Sequence, residues 1–294
     1  MVNKLVASTA VKDINQSFWQ HKMMPHLTVR STSNSTQGYK AHSHRELSIG
    51  LITAGQTLLT LPDHQLCLSA GDIVLIDPNV VHSCNPINKL PRSYHMMYLD
   101  NHWCCQVLSG LYGHNVDKFA CEYHLLPKSI AHSVLPACIE QLFSAENLAN
   151  DIAASHADLS EKIDLVLLDI LSQFVSPITD YPNQDPLAYS VKRLLVQDIT
   201  DAPSLEAIAE QLNRPVESLI RHFKARFGIT PKAFLTNHRI ERAKDLLKGG
   251  MNIVDVAGEV GFSDQSQLHR AFVHYTASTP RQYQQLASIF DNNR

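Results

Sequence analysis

The sequence predicts an α+β chain of two domains: an N-terminal β-barrel with flanking helices, then an all-α domain of two helix-turn-helix units. Three observations predict it. An apolar pattern occurs twice within residues 204–284, short β-rich runs fill residues 47–100, and a proline-rich stretch separates the two rhythms. The domains are placed at residues 1–178 and 179–294.

From about Leu47 to Asp100, the runs LSIGLI, TLLTL, DIVLI and HMMYL are separated by Gly, Pro, Asn and Asp, as in a small antiparallel barrel. From Ile130 to Val175 the pattern is helical. Leu135, Ile139 and Leu142 form one stripe; Leu159, Ile163, Val166, Ile170 and Phe174 form another. The second stripe is spaced nearly as a coiled-coil seam, so it either pairs two chains in a homodimer or covers the barrel. SPITDYPNQDP then reads as a linker, with the boundary near residues 176–186.

In the C-terminal part, Leu205, Ile208, Ala209 and Leu212, then Leu219, Phe223, Pro231 and Phe234, recur as Ile253, Val256, Ala257 and Val260, then Leu268, Phe272, Pro280 and Tyr283. Each copy is a short helix, a tight turn at Asn213 or Gly261, and a second helix. Both turn residues tolerate left-handed backbone. In this layout the first helix crosses the nucleic-acid backbone and the second enters the major groove, so double-stranded DNA is the expected partner.

Helical geometry then selects the groove-facing residues. Leu219, Phe223 and Phe227 lie four apart and pack inward, turning Glu217, Ser218 and Arg221 outward. In the equivalent helix Leu268 and Phe272 are the buried pair, leaving Ser266, Gln267, His269 and Arg270 for the groove. Arg suits guanine, Gln suits adenine and Glu can accept from cytosine. The competing reading of each is a solvated surface residue.

Charge alone does not suggest nucleic acid. Residues 185–294 carry 14 Lys+Arg against 12 Asp+Glu, and residues 1–184 carry 11 against 16. No stretch is apolar enough to span a bilayer, and MVNKLVASTAVKDINQ lacks the apolar core of a signal peptide, so no membrane partner and a cytoplasmic location are expected. Cys67, Cys84, Cys104, Cys105, Cys121 and Cys138 are expected to be free thiols.

Twelve of the 16 His precede residue 185. His42 and His44, on a strand, point to one face, and His82 at the end of another strand could join them across the barrel. Cys84 could add a thiolate. Such a set suits zinc, nickel or another borderline transition metal. The same residues fit a pocket for a small organic effector, or a plain His-rich framework without a ligand. Tyr94, His95 and Tyr98 either line that cavity or pack as core.

The run Gly261-Phe262-Ser263-Asp264-Gln265-Ser266, then Arg270-Ala271-Phe272 and Thr279-Pro280-Arg281-Gln282-Tyr283, resembles the signature of the AraC/XylS family of bacterial transcription regulators, over roughly residues 186–285. Val273 stands where that family commonly has Lys, and Thr276-Ala277 where it has an aromatic and Gly. His42-Ser43-His44-Arg45-Glu46, Gly55, the run from Gly71 to Pro78 and His82-Ser83-Cys84-Asn85-Pro86 resemble the cupin-like sensor domain of many such regulators. The cupin His-x-His pair and later His match His42, His44 and His82 by position, whereas Glu46 comes too early for the usual Glu. The resemblance implies a sequence-specific regulator and not an enzyme. It implies an activator that answers to a small molecule or metal in the barrel and meets RNA polymerase at promoters. The alternatives are a metal-dependent cupin enzyme with a helical appendage and an architectural DNA-binding protein.

Overall fold

The computed structural model describes residues 15–127, 129, 131–145, 153–178 and 185–284. Residues 179–184, most of the expected linker, lie outside them. The first strands are β1 (Gln16–His21), β2 (Met24–Ser35), β3 (Leu47–Ala54) and β4 (Gln56–Thr60). They are followed by β5 (Gln65–Ser69), β6 (Ile73–Ile76), β7 (Ser83–Pro86) and β8 (Arg92–Leu99). A five-stranded antiparallel sheet in the order β1-β2-β8-β3-β6 faces a three-stranded sheet in the order β5-β4-β7. Strands β1 and β2 precede the region where sequence placed the barrel. Pro25 and the Ser- and Asn-rich end of β2 read as loop, yet Leu27 and Val29 alternate inward and are fully buried.

Strands β3 and β6 of the larger sheet are buried on both faces, which is why LSIGLI and IVLI read as unbroken apolar runs. On β8, Tyr94 and Met96 pack into the barrel interior, while Met97 and Leu99 face three helices. These are α1 (Asn101–Tyr112), α2 (Ala131–Ala145) and α3 (Ala153–Phe174). A short pair, β9 (Phe119–Cys121) and β10 (Val175–Pro177), closes this layer. The stripe Leu159, Ile163, Val166, Ile170 and Phe174 of α3 is buried in one core with Trp19, Leu27 and Leu99. The seam-like spacing therefore covers the barrel and is not free to pair two chains. Period alone cannot separate these outcomes, since both require one apolar face. Leu165 and Leu168 lie on the opposite, exposed face.

The C-terminal part runs α4 (Pro186–Gln197), α5 (Leu205–Leu212), α6 (Val216–Phe227), α7 (Pro231–Lys248), α8 (Ile253–Glu259) and α9 (Gln265–Thr276). Local chemistry sets these bounds. The Ser204 hydroxyl accepts from Ala207 N–H to cap α5, Thr230 accepts from Ala233 ahead of Pro231 in α7, and Asp264 accepts from Gln267 to cap α9. Asn213 ends α5 in the left-handed region at φ 49°, and Gly261 holds the equivalent turn at φ 79°.

The two copies make separate cores. Ile208, Leu219 and Phe223 close the first with Val191 and Leu195 of α4; Val256, Leu268 and Phe272 close the second with Ile240 and Leu247 of α7. Gly261 is required twice over. A Cβ there would stand 2.7 Å from the carbonyl oxygen of Thr200 and 2.9 Å from that of Ile199. Left-handed backbone costs an L-residue about 1–2 kcal/mol before any clash is counted. Gly261→Ala is expected to lower the melting temperature of the full chain by more than that strain alone, and an unchanged melt would overturn this account of the turn.

Candidate effector cavity and DNA-facing surface

The inner faces of the two sheets enclose a cavity with about 30 Å³ of free volume, room for roughly two water-sized groups. His42, His44, His82, Tyr94 and Tyr98 all line it, together with Arg30 and Tyr39. His95 does not. One residue out of step on β8, it faces the helices and stacks on Phe143 at 6.4 Å between centroids.

His42 and His44 sit in the irregular segment between β2 and β3, not on a regular strand, and His82 immediately precedes β7. They meet because His42 and His82 exchange both backbone hydrogen bonds in an isolated bridge, at 3.0 and 2.8 Å. One ligand atom from each of the three imidazoles lies within 4.8 Å of the other two. All three rings are buried, and burial lowers His42 well below the ordinary imidazole range, His44 to about 3 and His82 to about 4. They are neutral at neutral pH.

Cys84 lines the same cavity but stands outside this trio. It lies two residues along β7, opposite Leu59, and two residues of strand span roughly 6.6 Å. Burial raises its thiol to about 11, so it is protonated. Glu46 also stays out of the trio. Its carboxylate faces Lys244 of α7, which with His44 holds it down at about 2 against the opposing effect of burial.

Two buried arginines, which sequence gave no reason to single out, shape the cavity. Arg92 donates to the carbonyl oxygens of Ser35, Gln37 and Cys84, at 3.0–3.3 Å. Arg30 donates to the Tyr39 hydroxyl at 2.9 Å and to the carbonyl oxygen of Thr276 on α9 at 2.7 Å. That second bond crosses from the barrel to the helical domain. Gln16 extends the seam, donating to Ala277 O at 3.0 Å and accepting from Ser278 Oγ at 3.1 Å. Val273 and Ala277, two of the departures from the family pattern, are buried here, and Thr276 supplies the carbonyl that Arg30 holds.

The opposite end of α9 is free. Ser266, Gln267 and Arg270 are exposed and His269 is half-buried; on α6, Glu217 and Arg221 are exposed and Ser218 is half-buried. The carbonyl end of the Gln267 side chain accepts from Ser263 N–H at 3.0 Å, which leaves its amide N–H groups to donate outward. The turns at Asn213 and Gly261 set α6 and α9 as the second helices of two like units.

Two family models match the chain. An AraC-like ligand binding domain matches residues 24–163 and a helix-turn-helix domain matches residues 208–286. The chain belongs to the AraC/XylS family. It is 26% identical over 257 residues to the uncharacterized HTH-type transcriptional regulator YbfI of Bacillus subtilis, covering 83% of this chain and 87% of that one. It is 24% identical over 148 residues to the HTH-type transcriptional activator RhaS of an Enterobacter species, covering 50% and 53% respectively. Among solved structures, an apo ToxT variant from Vibrio cholerae superposes with a TM-score of 0.52 at 16% identity, over 89% of this chain and 98% of that one. As an AraC-family protein with this domain pair, the chain is a DNA-binding transcriptional regulator. Among the described residues no helix is long and apolar enough to cross a membrane.

Proposed function

We propose that the chain is a sequence-specific activator, acting in the cytoplasm, that answers to an effector held in the barrel cavity. The observation that carries it is the pairing of two exposed second helices with a buried cavity whose wall residue, Arg30, hydrogen-bonds α9 directly. An effector can alter DNA affinity only by binding the DNA-competent and incompetent arrangements unequally. A group that spans both the cavity and the helical domain provides that difference. The name of the RhaS relative supports activation, and with it a contact to RNA polymerase.

In this reading Arg221 and Arg270 read bases from equivalent positions, with Glu217, Ser218, Ser266, Gln267 and His269 beside them. Selection from genomic fragments followed by titration tests it. Arg221→Ala and Arg270→Ala should each weaken the selected site about 5- to 150-fold, as about 1–3 kcal/mol per bidentate base contact requires, and relax preference at one base. Equal weakening of every sequence would instead assign the lost residue to phosphate. Pairing of two chains is part of the proposal, through a face other than the buried α3 stripe. Light scattering at micromolar concentration should show twice the chain mass, and a monomer throughout would remove this part.

A further inference from the structure

We propose that His42, His44 and His82 hold one divalent first-row transition ion, of the zinc or nickel class, and that the DNA-binding helices read its presence through the residues anchoring the three imidazoles. This rests on the regulator reading and names the effector class of the same cavity.

The first observation is the tautomer. His42 Nδ1 lies 2.8 Å from the carbonyl oxygen of Lys40, His44 Nδ1 3.1 Å from that of Glu46, and His82 Nδ1 2.9 Å from that of Val80. A carbonyl only accepts, so each Nδ1 carries the proton and each Nε2 keeps its lone pair. Three neutral imidazoles fixed in this way form the donor set of a nitrogen-ligated ion with its supporting hydrogen bonds already made. The Ser48 hydroxyl, 3.3 Å from His44 Nε2, is the competing partner that an ion displaces. The cavity's free volume of about 30 Å³ accommodates an ion with one or two bound waters. With Glu46 and Cys84 both outside the trio, the fourth position is open to water or a small ligand.

The second observation is where the anchors lead. Lys40, whose carbonyl holds His42, donates its own N–H to His274 O on α9 at 3.0 Å. Glu46, whose carbonyl holds His44, lines a second cavity together with Lys244 of α7. Val80 holds His82, and the side chain of the next residue, Val81, packs beside Gly228 at the end of α6. Between the two ligand histidines, Ser43 accepts from the buried Asn237 amide of α7 at its carbonyl, 2.8 Å, and at its hydroxyl, 3.3 Å. Each imidazole is thus one or two residues from a different helix of the DNA-binding domain.

Tetrahedral nitrogen ligands at 2.0–2.1 Å from a metal stand about 3.3 Å apart. Loading therefore draws in any pair as wide as the 4.8 Å limit by about 1.5 Å, and the two anchored segments move with their imidazoles. The base-facing ends of α6 and α9 stay exposed in the docked arrangement. Loading then fixes their relative placement and raises DNA affinity.

The test uses the full chain, stripped with a chelator and reloaded with zinc or nickel, with metal content from elemental analysis and affinity measured on a selected DNA fragment. One ion per chain and about tenfold tighter DNA binding on loading are expected. His82→Ala should lose both, while Asn237→Ala should keep the ion and lose most of the increment. Circular dichroism checks that the variants fold; should His82→Ala not fold, the wild-type pair and Asn237→Ala still decide. A stripped chain that takes up no ion at micromolar metal, or a folded His82→Ala that binds as the wild type does, overturns the site. Equal DNA affinity of loaded and stripped protein overturns the coupling. A chain that binds the ion but no DNA in either state overturns the regulator reading while the site stands.

Discussion

Lys244→Met should destabilise the chain by about 3–5 kcal/mol, the usual cost of removing one partner from a buried charge group. Lys244 and Glu241 form an ion pair at 2.8 Å with each side chain only 13% exposed, and Glu46 of the barrel faces the same ammonium. Among the described residues, Glu46 Oε2 and Glu241 Oε2 are buried with no hydrogen-bond partner, so their charges depend on the nearby cations. Burial, with Glu46 adding to it, raises Glu241, while Lys244 and His44 hold Glu46 at about 2. Without Lys244 the two carboxylates confront each other across the domain seam.

The pH dependence follows with a definite sign. Glu46 titrates lower in the folded chain than in the unfolded one. Its contribution to wild-type stability is complete above its ordinary value near 4.5 and is lost as pH falls towards 2. In Lys244→Met the pair binds protons more readily folded than unfolded, so acid should stabilise the variant through the carboxylate range. Glu241→Leu combined with Lys244→Met should recover much of the loss, since an apolar replacement removes one of the uncompensated charges. Urea melts of the full chain at several pH values measure all three. Parallel pH profiles for wild type and single variant would contradict the assignment.

Phe272→Ala should cost about 3–5 kcal/mol, because the ring is fully buried and its removal leaves a cavity that helices on three sides cannot close. It packs edge-on to Tyr283 at 5.6 Å, and Tyr283 meets Phe18 of β1 at 5.7 Å. Phe223 is the matching residue of the first unit, against Phe227 at 4.6 Å and Phe234 at 5.3 Å. For a helical domain of this size such losses lower the melting temperature by more than about 10 °C. The two sites differ in reach. Phe272 lies in the core that β1 also touches, so its loss should loosen the barrel seam as well as DNA binding, while Phe223→Ala should leave the seam intact. Proteolysis at the seam, compared between variants, separates them, and equal susceptibility would contradict this division.

The helical domain was legible because its information is local. Apolar spacing marked Leu219, Phe223, Leu268 and Phe272, and left-handed turn residues at Asn213 and Gly261 closed each unit. The histidine trio was partly legible. The His-x-His spacing put two rings on one face, but the bridge that brings His82 to His42 is a long-range pairing that leaves no pattern in the sequence. The same limit hid the seam. Ser43 and Asn237 are 194 residues apart, and nothing near either marks the other. Arg30 was hidden for a different reason: an arginine in an alternating strand reads as solvent-facing, and here its charge is instead met by Tyr39 and a helix-end carbonyl. Val273 and Ala277, where the chain departs from the family pattern, are both buried.

Footprinting of the full chain on a fragment selected from genomic DNA tests the central claim most directly. Two helix-turn-helix units that both engage should protect two major-groove segments on one face, about 34 Å or one helical turn apart. Arg221→Ala should remove protection from one segment and Arg270→Ala from the other. A single protected segment insensitive to one of these changes, or no sequence-dependent protection at all, would contradict it.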